Sequence, residues 1–129
     1  MLTLRRELVV HGPRDPGDVW DRYVRPARWP EWSPQIRSVD YDRERLAPGT
    51  SGVVHGPGGL RVPFQVRDVD EAARCWTWTA SALGVRLDLE HTVAPRGAGT
   101  RTGLTVEGPA PAVAGYLPAA WWALRRLVS

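Results

Sequence analysis

A single cysteine, Cys75, stands among the 129 residues, so no intramolecular disulfide and no cysteine-based metal cluster can form. That usage fits a reducing, cytoplasmic setting. Lysine is absent: all 17 basic residues are arginine, set against 14 acidic ones, for a net charge of +3. Only Arg5/Arg6 and Arg125/Arg126 are adjacent pairs, and acids are interspersed throughout. A mixed, solvated surface follows, rather than a basic stripe that tracks phosphates, so nucleic acid is not expected as a partner. Long apolar runs are missing too. Residues 108–124 carry no charge, yet Pro109, Pro111 and Pro118 interrupt them and they fall short of the ~20 residues of a membrane span. The opening MLTLRRELVV has too short an apolar stretch for a signal peptide, and no membrane partner is expected.

Signatures of catalysis are equally sparse. There is no GxSxG, no P-loop and no dinucleotide fingerprint. The three histidines lie far apart in sequence, and Glu90 and His91 point to opposite faces of a strand, so no metal site and no cofactor is expected. Cys75 has no visible base and no helix N-terminus beside it, which argues against a nucleophile.

What the chain does have is a strong pattern of strands and one closing helix. With 43% apolar residues, its length suits one domain, 1–129, around one core. Leu2, Leu4, Leu8 and Val10 alternate with polar residues in a first strand over 2–10, which His11 and Gly12 end. Asp15, Pro16 and Asp18 start a helix, Val19, Trp20, Tyr23 and Val24 supply its buried face, and Pro26 stops it. Arg28 to Pro34 makes a second short helical piece or a pair of turns. From Gln35 the period changes to two, and strands are predicted at 35–42, 51–56, 60–69, 74–81, 84–94 and 99–108, separated by Gly- and Pro-rich turns. Pro109 to Val128 then reads as a helix. Its apolar stripe comprises Val113, Tyr116, Leu117, Ala120, Trp121, Leu124, Leu127 and Val128. Pro118 in mid-helix deprives the Ala114 carbonyl of its partner and predicts a kink, or a gate over a cavity mouth. Trp122 stands opposite the stripe between Arg125 and Arg126, and is predicted to be exposed, for arginine stacking or a homodimer contact.

The order of elements, together with TrpProGluTrpSerPro (29–34), ValProPheGlnValArgAspValAsp (62–70), TrpThrTrp (76–78), GlyValArgLeuAspLeuGluHisThrVal (84–93), GlyThrArgThr (99–102) and the closing helix, resembles the START-like or helix-grip superfamily (SRPBCC). Within it the chain is similar to the polyketide cyclase/dehydrase-type proteins. The resemblance implies an α+β fold: a seven-stranded antiparallel curved sheet wrapped around a long C-terminal helix, with two short helices after strand one. It also implies a cavity for a small hydrophobic ligand. Relatives include cyclases, lipid or hormone carriers and interaction proteins with no known ligand.

Strand parity nominates the residues of such a cavity. Val85, Leu87, Leu89, His91 and Val93 share one face, on which His91 is the one polar side chain. His91, with Tyr116 on the helix, is the candidate catalytic pair. A core histidine bonded to a neighbouring strand or to Tyr116 is the alternative. Desolvation is predicted to lower its pKa in either case. Phe64, Trp76, Trp78, Leu87, Leu89, Val113, Leu117 and His55 are the candidate ligand contacts. Trp29 and Trp32 are predicted as structural lids at the sheet's open end. The expected function is enclosure of an aromatic or polyketide-like molecule, with cofactor-free cyclisation or dehydration as the enzymatic version. A carrier needs only the cavity, and an interaction module would use Trp122.

Overall fold

In a computed structural model, which describes residues 2–129, seven strands form one antiparallel sheet in the order β1-β7-β6-β5-β4-β3-β2. The strands are β1 (Thr3–Gly12), β2 (Ser38–Asp40), β3 (Ser51–His55), β4 (Arg61–Asp70), β5 (Cys75–Ala82), β6 (Val85–Arg96) and β7 (Gly99–Pro109). Two short helices, α1 (Pro16–Val24) and α2 (Trp29–Trp32), follow β1 with a 3-10 turn at Pro26–Arg28 between them. The chain closes with α3 (Ala110–Val128). No described helix is long and apolar enough to cross a membrane.

Local chemistry accounts for most of these boundaries. The Asp15 carboxylate accepts from the Asp18 N–H at 3.2 Å, capping α1 ahead of Pro16. β1 does not stop at His11 and Gly12 but pairs with β7 through Gly12↔Thr100. Only glycine fits there, because a Cβ would collide with the Val128 carbonyl at the end of α3. β2 is far shorter than the predicted 35–42. Ile36 is held in a turn by its N–H bond to the Ser33 carbonyl, and the Tyr41 hydroxyl turns away to Thr50 at 2.8 Å. A bulge between Val66 and Asp68 lets β4 bend while keeping Phe64, Val66 and Val69 inward.

The helix α3 lies across β1 and β7, leaving the inner face of β4, β5 and β6 only partly covered. Val113, Leu127 and Val128 are fully buried on the covered side. Its C-terminus is tied down by a buried arginine: Arg22 Nη1 donates to the carbonyls of Leu127 at 2.8 Å and Arg126 at 3.2 Å. A cation there meets the negative end of the helix dipole as well as orphan carbonyls. The helix is continuous through Pro118, which faces solvent, as does Ala114, so water can satisfy the carbonyl that the proline leaves unpaired.

Two expectations about the helix are corrected. Trp121 is 46% exposed and lies outside the buried stripe, while Ala123 is inside it. The buried arc is centred on alanines and leucines and ends before Trp121. The Arg125 guanidinium stacks 4.8 Å over the ring of Trp121, not of Trp122. Trp122 itself is 61% exposed, as its position opposite the stripe predicts.

Candidate functional site

Between the uncovered part of the sheet and α3 lies a cavity of about 410 Å³, within the ~300–1,000 Å³ typical of small-molecule sites. Small side chains make it. Where the register of α3 turns toward β5 and β6 it presents Ala112, Ala119, Ala120 and Ala123, too short to reach the sheet. Opposite them stand Trp76, Trp78, Leu87, Leu89 and His91. At the outer end the wall is built by Leu60, after the β3–β4 turn, and by Leu83, at the β5–β6 turn. Leu83 is 91% exposed and has φ +53°, in the left-handed region that a two-residue hairpin turn requires.

Trp76, Trp78 and His91 form a stack on two paired strands. Trp76 and His91 are directly opposite in register, their rings 4.7 Å apart and 12° from parallel. Trp78 stacks on Trp76 at 5.3 Å. His91 is 4% exposed, and burial pushes its pKa from 6.5 down to about 3, as strand parity predicts in direction. Its Nδ1 lies 3.3 Å from the Tyr23 hydroxyl on α1, not against Tyr116. That hydroxyl is 2.7 Å from Thr102 Oγ1 on β7, and Thr102 in turn donates to the Thr92 carbonyl at 2.8 Å. His91 Nε2, Trp76 Nε1 and Trp78 Nε1 are buried with no hydrogen-bond partner among the described residues. Tyr116 lines the cavity from α3, where burial pushes its pKa up to about 12.

The candidate catalytic pair and the candidate ligand contacts divide into two groups. Trp76, Trp78, Leu87, Leu89, His91 and Tyr116 border the cavity. Phe64, Val113, Leu117 and His55 do not. Phe64 is turned over Gly52, whose missing side chain leaves room for the ring: a Cβ there would meet it at 2.6 Å. It packs instead against Trp29 at 5.4 Å and Tyr41 at 6.1 Å. Val113 and Leu117 belong to the side of α3 that seats on the sheet, one step round from the alanines. His55 stands on the outer face of β3 and pairs with Asp40 at 2.7 Å.

Trp29 and Trp32, predicted as lids only, are part of the cavity wall. Both are buried, and both spend their indole N–H on α1: Trp29 on the Tyr23 carbonyl at 2.8 Å, Trp32 on the Arg22 carbonyl at 3.1 Å. These are C-terminal carbonyls of α1 without helical partners. The alanine-rich face of α3 is the signal in the sequence that could have located the cavity. Cys75 is on the outer face, its Sγ 3.9 Å from the Glu90 carboxylate; burial and that negative charge raise its pKa, the reverse of what a nucleophile needs.

A curved sheet closed by one long helix, with a cavity between them, defines a helix-grip protein. Residues 3–128 match the family described as polyketide cyclase / dehydrase and lipid transport, and the chain belongs to that family. Among solved structures it is similar to Ara h 8.0201, with a TM-score of 0.79 over 97% of this chain and 95% of that one, at 15% identity. That likeness is one of fold. No curated protein matches the chain.

Proposed function

We propose that the protein binds a small, flat, largely apolar molecule in the cavity between β4–β6 and α3, as a carrier or receptor rather than by transforming it. The family's description, which covers cyclisation, dehydration and lipid transport, agrees with a hydrophobic ligand. The observation that carries the reading is the cavity of about 410 Å³ with a wall of stacked indoles, since aromatic faces favour planar partners. Against proton transfer stand the two groups that would perform it. A histidine with a pKa of about 3 is a weak base at neutral pH, and a tyrosine pushed up to about 12 is a reluctant acid. Both are neutral there.

Cyclisation of a reactive chain is the second reading. It draws on enclosure alone, because confining the chain brings its reacting atoms together. The dye N-phenyl-1-naphthylamine, titrated against tryptophan emission, tests binding: saturable 1:1 quenching is expected, weakened at least tenfold in Trp78→Ala. Absence of saturation, or a folded Trp78→Ala variant that binds as the parent does, contradicts the site. His91→Gln separates the two readings for any substrate found, since glutamine keeps hydrogen-bonding capacity without basicity. Turnover lost with affinity retained would favour chemistry.

A further inference from the structure

We propose that the end of the sheet where the cavity reaches the surface docks on an anionic lipid surface, so that an apolar ligand passes between bilayer and cavity without crossing water. This rests on the cavity reading above, and it replaces the expectation of no membrane partner, which followed from the lack of a spanning run; a peripheral contact needs none. Register brings the segment before β2, the β3–β4 turn, the β5–β6 turn and the β7–α3 junction to one end of the sheet. Leu60 and Leu83, on two of those turns, are exposed and also form the cavity wall. A third exposed leucine, Leu2, is fixed at the same end, where its carbonyl accepts from the Ala110 N–H at 2.9 Å. Three of the six large apolar side chains exposed among the described residues thus gather here. Leu83 is the most telling of them. A turn residue with φ +53° is ordinarily glycine, asparagine or aspartate, and an exposed leucine gains no packing in return.

Charge separates the two ends of the sheet. At the cavity end, residues 35–39, 55–61, 81–87 and 108–112 contain Arg37, Arg61 and Arg86 and no acid. All three arginines are exposed; Arg86 pairs with Asp88 at 3.1 Å, whereas Arg37 and Arg61 meet no acid among the described residues. At the opposite end Asp18 and Asp21 are tied to Arg28, and Glu71 to Arg45. Apolar tips among uncompensated cations fit acyl chains beneath negative headgroups. A second copy fits worse, since mouths placed face to face would oppose arginine to arginine. An acidic protein surface would answer the arginines, but it offers the leucine tips no apolar partner.

Vesicle flotation tests the docking. Phosphatidylcholine vesicles with about one quarter phosphatidylserine are expected to bind roughly tenfold more tightly than pure phosphatidylcholine at ~0.1 M salt, and ~0.5 M salt should remove most of that preference. Leu83→Asp, which suits the left-handed turn, should weaken the anionic binding about fivefold or more. The double variant Arg37→Gln/Arg61→Gln should do the same while binding N-phenyl-1-naphthylamine as the parent does. Trp122→Glu, on the outer face of α3, should float like the parent. No preference for anionic vesicles, or binding lost in Trp122→Glu but kept in Leu83→Asp, overturns the proposal. Binding to polyglutamate without binding to vesicles overturns it in favour of a protein partner, and a dimer in sedimentation that Leu83→Asp dissolves overturns it in favour of a second copy. Saturable dye binding with no vesicle binding removes the docking and leaves the cavity. Absence of saturable dye binding overturns the cavity reading, and the transfer of ligand with it, whatever the vesicles do.

Discussion

The two halves of the concave face are built from the same strand pattern and closed by the same helix, yet one is packed and the other hollow. Over β1 and β7, α3 lays down Val113, Leu127 and Val128, each essentially without exposure. Over β5 and β6 it presents Ala112, Ala119 and Ala123 to a wall of tryptophans. The tryptophans repeat the contrast. Trp29 and Trp32 spend their N–H groups on α1 carbonyls and are fixed, whereas Trp76 and Trp78 leave theirs without partners among the described residues. A protein interior is normally packed and its polar atoms paired. Both rules lapse together at the cavity, which is where the ligand is proposed to bind.

The contrast can be broken most strongly in the packed half. Leu127→Ala removes a fully buried side chain with neighbours on all sides and is expected to cost about 2–5 kcal/mol in chemical denaturation. A loss under about 1 kcal/mol would mean that this half is not tightly packed.

Acidification probes the buried imidazole. The folded pKa of His91 is about 3 and the unfolded one near 6.5, so below pH 6.5 the unfolded chain takes up a proton that the native ring refuses. Its contribution to stability is therefore full above that pH and is lost as pH falls from about 6.5 toward 3, at up to ~1.4 kcal/mol per pH unit. Carboxylates held low by arginine neighbours, Asp18 beside Arg14 among them, add their own loss lower in the range. Denaturation midpoints between pH 7 and 4.5 check this. His91→Gln should flatten the slope there, and an unchanged slope would assign it to other groups.

Filling the hollow half is expected to cost little. Ala119→Leu should change stability by less than about 1 kcal/mol while abolishing dye binding, because the new side chain enters open space. A large destabilisation would show that the space is not there. Smallest of all, Trp122→Glu on the opposite surface of α3 should stay within about 0.5 kcal/mol and leave ligand binding unchanged. Sedimentation of the parent and this variant checks the homodimer suggested by the exposed indole: a monomeric parent removes that reading.

How far the sequence reveals these halves depends on the range of the interaction. Strand parity is local, so the inward set on β6, from Val85 to Val93, and the outward pair Cys75 and Glu90 follow from alternation alone. The helix stripe is also local, but its division into a seated side and a cavity side is not. Val113 and Leu117 look like cavity residues until the tilt of α3 over β1 and β7 is known. Phe64 left the cavity because Gly52, on a neighbouring strand, made room for it. Tyr23, which orients His91, is 68 residues away from it in sequence and reads from the sequence only as core. A cavity is an absence of side chains, and its one local trace was a run of alanines.

The central claim is that one half of the concave face is open to a ligand and the other is not. Methyl-labelled spectra of the protein titrated with N-phenyl-1-naphthylamine test it most directly, through ring-current shifts. The expected result is movement of the Leu87 and Leu89 methyls with Val113, Leu127 and Val128 unmoved. Shifts centred on the second set, or saturable binding with no shift in the first, would contradict it.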